Sequence, residues 1–133
     1  MTMTAEAMTL LGRNFVESYY RCFDAKEMDN LMQLYVPDSD SSQMSFEGAL
    51  CRGKDAILGK FNSLGFKKVV HKITNFDVTS TLDGGVLIMV TGQLKADEDQ
   101  PLSFSQTFLL KGTPDQRWYV VNDIFRIIVH NTV

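Results

Sequence analysis

Along the first part of the chain, Met8, Leu11, Phe15, Tyr19, Cys22 and Phe23 recur at spacings of three and four. That rhythm gathers them on one face of a helix. Asp24-Ala25-Lys26-Glu27 then has the form of a capping box, an acid at the N-cap and Glu three residues on. It predicts a second, shorter helix with Met28, Leu31, Met32 and Tyr35 facing inward, stopped by Pro37. Met44 and Phe46 alternate with polar neighbours, which predicts a short strand over Gln43–Phe46, turned by Glu47-Gly48. Ile57, Leu58, Phe61 and Leu64 predict a third helix over 54–64, with Gly53 at its start and Gly65 at its end.

From Lys67 the period shortens to two. Strands are expected at 67–80, 86–96, 102–112 and 117–130, joined by short segments rich in turn residues. Short joins between long strands imply an antiparallel meander. Two of these strands are apolar on both faces, at Val86-Leu87-Ile88-Met89-Val90 and at Ile124-Phe125-Arg126-Ile127-Ile128-Val129. A sheet with one wet face should alternate. Helices can cover one side, so the other must meet a cavity or a second copy. A homodimer through the sheet face is expected.

The join Asp97-Glu98-Asp99-Gln100-Pro101 sets three acids in a row at a hairpin tip. The whole chain of 133 residues has a net charge of −3 and is 44% apolar, which suits one globular domain over 1–133. Lys and Arg are not concentrated anywhere, so no nucleic-acid groove is expected. An acidic tip suits a basic partner. Cys22 and Cys51 sit among apolar neighbours and are expected as reduced thiols in a cytosolic or nuclear protein, although one disulfide between them is compatible with the sequence. No secretory signal and no apolar run long enough for a bilayer is present in these residues. The acids lack metal-loop spacing, and there is no phosphate-cradling glycine loop, no CxxC and no hydrolase triad order, so no metal or cofactor is expected. The chain is expected to be a binding module, not an enzyme.

Helices followed by a bent antiparallel sheet resemble the α+β, cone-shaped fold of the nuclear transport factor 2-like superfamily. The finer motifs resemble the nuclear transport factor 2 family itself: Phe15, Tyr19-Tyr20, Phe23-Asp24, Phe46-Glu47-Gly48, Gly53-Lys54, Gly92-Gln93-Leu94-Lys95-Ala96-Asp97-Glu98-Asp99, Phe108-Leu109-Leu110-Lys111, Asn122-Asp123, Phe125-Arg126 and His130-Asn131. The resemblance implies a dimeric carrier that binds the GDP form of the small GTPase Ran. Such a carrier crosses the nuclear pore by contacting phenylalanine-glycine repeats (FxFG) of nucleoporins, and concentrates at the nuclear envelope between cytoplasm and nucleus. It implies that Glu47, Asp97 and Asp99 are the GTPase-binding acids. Phe46, Leu64, Val69, Leu102, Phe125 and Ile127 would form the apolar mouth that takes an aromatic side chain. Met8 and Asp24 would serve the nucleoporin repeats, with Met8 and Phe46 each standing where the family carries Trp.

Other readings compete. The acidic tip can be a solubilising turn, and Asp24 can be only a helix cap. His71 and His130 read as structural or surface histidines. An isomerase or dehydratase of the same superfamily would need a carboxylate deep in the cone. Glu47, a tyrosine and Asp123 are the candidates if Asp123 points inward. An adaptor of mRNA export would pair with a different protein of the same fold and would not need the acidic tip.

Overall fold

The computed structural model describes residues 3–38 and 40–128. Helix α1 runs Ala5–Asp24, and the Thr4 hydroxyl oxygen accepts the Ala7 N–H at its start. It buries Phe15, Val16, Tyr19, Tyr20, Cys22 and Phe23, the face expected from the spacing. The capping box is not formed. Asp24 is the last residue of α1, and the next helix, α2 (Met28–Met32), begins after Glu27 with no side-chain cap. Glu27 instead accepts from the Asn30 amide at 2.7 Å. Helix α2 is also shorter than expected. Its chain leaves the helix to exchange backbone hydrogen bonds with Val120, through Leu34 and Val36. Tyr35, which the pattern assigns to the helix, therefore sits in a β-bridge, and Pro37 lies beyond the end.

Strands β1 (Gln43–Phe46) and β2 (Ala49–Arg52) form a hairpin across Glu47-Gly48. Strand β2 has no alternating apolar signal and was not expected. Helix α3 (Lys54–Asn62) ends two residues before the expected Leu64. Gly53 and Gly65 both have positive φ, at 84° and 75°. The long strands are β3 (Val69–Ser80), β4 (Val86–Ala96), β5 (Leu102–Gly112) and β6 (Trp118–Ile127). They make the expected antiparallel meander, in a six-stranded sheet of order β2-β1-β6-β5-β4-β3. The meander is not the whole sheet, because β1 runs parallel to β6. Lys67 and Lys68 stay outside β3, and the described part of β6 stops at Ile127, with His130 and Asn131 outside the described residues.

Two irregularities bend this sheet. The β3–β4 register shifts between Ile73 and Asn75, opposite Gly92. A Cβ on Gly92 would lie 2.2 Å from the Lys72 carbonyl oxygen, so the strands approach there as only glycine allows. The β5–β6 register shifts opposite Leu109/Leu110. Bulges of this kind increase local twist, and they curl the inner face over α1. That face buries Val86, Ile88, Val90, Phe104, Phe108, Leu110, Val120 and Phe125 against the aromatic stripe of α1. Phe108 meets Phe15 and Tyr19 edge-on, with centroids 4.9 and 4.7 Å apart. The outer face keeps Leu87, Met89 and Ile124 exposed. Cys22 and Cys51 are both free thiols.

Candidate functional site

At the end of the sheet near the β1–β2 and β4–β5 turns lies a small apolar cleft of about 40 Å³. Four of the six residues expected at the mouth line it: Phe46, Leu64, Val69 and Phe125. Phe46 stacks on Phe125 at 4.7 Å, and the Lys60 ammonium sits 5.4 Å from the Phe46 ring centre. Leu102 and Ile127 fall outside the lining. Leu102 is exposed and pairs with the lining residue Leu94, while Ile127 is half-buried and pairs with Phe104. The cleft is smaller than the roughly 150 Å³ that accommodates benzene in an apolar cavity. An aromatic guest would therefore have to displace a lining side chain.

Two of the three expected acids are tied to backbone beside lining residues, and the third is not. Glu47 has φ of 51°, and its carboxylate accepts the Ile127 backbone N–H. The residue before it, Phe46, lines the cleft. Asp97, also at φ 51°, accepts the N–H groups of Lys67 and Lys68, each at 2.9 Å. Those two amides precede Val69, another lining residue. Asp97 thus replaces the strand partner that the start of β3 lacks. Asp99 is exposed in the tip, where its own N–H is held by the Ala96 carbonyl at 3.0 Å. One end of the cleft is therefore flanked by acids that the backbone holds in place.

Sequence reasoning missed the polar side of the same cleft. His71 lines it, beside Tyr20, Phe23 and Phe104. Its backbone N–H donates to Asp24 Oδ2 at 2.9 Å, and its ring Nδ1 lies 2.6 Å from Asp24 Oδ1. Both Asp24 oxygens are thus engaged with one histidine. The only signal in the sequence was the position of His71 on the inward face of a strand, in phase with Val69.

Deeper in the cone, Asp123 does point inward. It is buried, and it accepts from Tyr35 at 2.7 Å, Tyr19 at 3.4 Å and the Gln106 amide at 2.9 Å. Burial pushes its carboxyl up to about 6, against the pull of those three donors. Burial first, and the charge of Asp123 second, push the phenols of Tyr19 and Tyr35 well above their ordinary range. A buried acid with tyrosines is one ingredient of the isomerase reading. However, Asp123 does not line the cleft, and its oxygens are occupied by residues of the core. Met8 lies elsewhere, half-buried in a cleft of about 230 Å³ with Leu82, Val86 and Trp118. Among the described residues no cluster of three metal-binding side chains forms, and no helix is long and apolar enough to cross a membrane.

Residues 11–127 match the family model of the nuclear transport factor 2 domain. The chain is 41% identical over 122 residues to nuclear transport factor 2 of Neurospora crassa, covering 91% of this chain and 95% of the relative. It is 42% identical over 120 residues to nuclear transport factor 2 of Saccharomyces cerevisiae, covering 88% and 91%. Among solved structures it resembles nuclear transport factor 2 from Cryptosporidium parvum, with a TM-score of 0.84 and 31% identity over 96% of this chain and 99% of that one.

Proposed function

The chain belongs to the nuclear transport factor 2 family and is a nuclear transport carrier, not an enzyme; from that premise we propose that its cargo is the GDP form of the small GTPase Ran. Glu47, Asp97 and Asp99 receive basic side chains of the GTPase. The cleft lined by Phe46, Leu64, Val69 and Phe125, with Leu102 and Ile127 at its edge, receives an aromatic anchor from a switch segment. A rim carboxylate in water contributes only about 0–1 kcal/mol. It raises encounter rate and selects a basic partner. A buried aromatic anchor contributes about 2 kcal/mol or more, and it dries the surroundings so that each enclosed charge pair counts for more. Selectivity for GDP lies in the partner, whose switch segment changes shape with the nucleotide.

The observation that supports this reading is the coupling of acid and cleft. Glu47 and Asp97 are each pinned by backbone N–H groups within two residues of an apolar side chain that lines the cleft. The cleft must widen to take a ring, and Leu64 and Phe66, between α3 and β3, are the lining side chains outside helix and strand. Phenylalanine-glycine repeats of nucleoporins dock at the Met8 cleft, where a soft thioether and the Trp118 ring offer an adaptable apolar surface. Asp24 closes the opposite end of α1, with both oxygens engaged by His71, and does not line that cleft. The carrier works as a homodimer joined through the outer sheet face, and it concentrates at the nuclear pore between cytoplasm and nucleus.

The test is a pull-down with Ran loaded with GDP or GTP, using wild type and Glu47→Lys. Capture of the GDP form alone by wild type, and its loss in the variant, is the expected result. Equal capture of both forms, or of neither, overturns the reading.

A further inference from the structure

The cleft above leaves the far side of α1 unused, and two further grooves run along it. One, of about 710 Å³, is lined by Arg21, Lys54 and Arg117. The other, of about 440 Å³, is lined by Leu10, Leu11, Phe15 and Leu110. They share Ser18, Leu34 and Trp118, so they form one continuous channel with a cationic half and an apolar half. We propose that this channel is a second docking site, for a partner segment in extended conformation whose apolar side chains are followed by acidic ones.

Charge complementarity supports that occupant. The chain as a whole has 13 Lys and Arg against 16 Asp and Glu. The cationic half holds three of those cations with one acid, Glu27, and Glu27 is hydrogen-bonded to Asn30. Arg117 shares Asp115 at 3.6 Å, whereas Arg21 and Lys54 pair with no acid among the described residues. The apolar half shows the opposite character, with Leu10, 56% exposed, as the one large apolar side chain of α1 left open to solvent. From Ala7 to Arg21 the channel follows α1 for about 21 Å. An extended peptide spans that length with roughly six or seven residues. The channel shares no lining side chain with the cleft flanked by Glu47 and Asp97, so both can be filled at once. It touches the Met8 cleft only at Trp118.

The experiment is selection of a random dodecapeptide phage library on the full chain, followed by titration of the enriched peptides. Trp118 is the sole tryptophan and lines both halves as well as the Met8 cleft, so its fluorescence reports binding at either, and the charge reversal at Arg21 and Lys54 assigns the signal to the channel. The expected peptides combine apolar residues with Asp or Glu. Their affinity falls about tenfold in Arg21→Glu/Lys54→Glu, falls in high salt, and is unchanged in Glu47→Lys. The last arm separates this site from the GTPase site, where loss would follow Glu47 alone. Thermal melting by circular dichroism checks that the charge-reversed variant folds. The proposal is overturned by no enrichment, by enriched peptides without acids, by affinity indifferent to the charge reversal, or by an equal response to inorganic polyphosphate or an oligonucleotide. A change in oligomeric state of the charge-reversed variant overturns it in favour of an interface between copies.

Discussion

Tyr35 donates its hydroxyl to Asp123 Oδ2 at 2.7 Å, and both residues are buried. The two come from the chain segment that leaves α2 and from the centre of β6, so the bond ties the helical layer to the sheet. Burial nevertheless outweighs the bond, and the Asp123 carboxyl titrates at about 6, above the ordinary value of 3.8. The folded chain therefore holds a proton between about pH 4 and 6 that the unfolded chain has released. Stability is greatest below that window and falls as pH rises through it. Urea unfolding should lose about 1–3 kcal/mol between pH 4 and pH 6.5, and the Asp123→Asn variant should lose that slope. The lowered carboxyls of Asp38, Asp83 and Asp115 act below pH 4 and do not mask it.

The acids of the tip do different work, although the sequence presents them as equals. Asp97 closes the start of β3 by accepting from Lys67 and Lys68. Asp97→Ala should speed hydrogen exchange of those two amides and destabilise the chain by about 1 kcal/mol. Asp99→Ala should leave both amides protected and change only the binding of a basic partner. Equal protection loss in the two variants would contradict this division.

Gly92 marks the closest approach of β4 to β3. A Cβ there would lie 2.2 Å from the Lys72 carbonyl oxygen and 3.1 Å from Ile73 Cα. Backbone cannot yield as a flexible side chain can. Gly92→Ala should cost about 1–3 kcal/mol, read as a lower melting temperature, because the bulge must shift.

The outer sheet face carries Met89, 41% exposed, and Ile124, 53% exposed. Both are neighbours of Thr107, on either side of β5. If this stripe joins two copies, Met89→Lys with Ile124→Lys should give a monomer by light scattering while keeping the wild-type circular dichroism spectrum. A dimer of unchanged mass would place the interface elsewhere.

Binding through Glu47 can be separated from its structural bond. The carboxylate accepts the Ile127 N–H, and Gln retains an acceptor for it. Glu47→Gln should melt within about 0.5 kcal/mol of wild type. It should still weaken Ran-GDP binding by about 2 kcal/mol, the low end for losing one partner of an enclosed pair. Equal binding by isothermal titration would remove Glu47 from the site.

Local rules made much of this legible. The spacing from Met8 to Phe23 specifies α1 and its buried face, and the alternation after Lys67 specifies the four long strands and their short turns. Those patterns come from burial of one side of a regular element, which a sequence displays directly. Other readings failed where a distant segment competed for a local group. Asp24 has the form of an N-cap, but His71, 47 residues away, engages both its oxygens. Tyr35 keeps helical phase with Leu31, yet Val120 draws its segment into a β-bridge. Strand β2 and the parallel β1–β6 pairing leave no periodic trace, because four residues paired mainly through their backbone need no apolar rhythm.

The order of residues alone determined which side chains face inward and that acids crown the β4–β5 turn, since both follow from period and position along one strand. The tertiary structure decided which acid is spent on backbone amides, that Asp123 is enclosed at the centre, and that basic and apolar grooves meet at Trp118. Those outcomes depend on bulges and crossing strands that bring remote residues to within hydrogen-bonding distance, and such a distance is a property of the folded chain, not of any stretch of it.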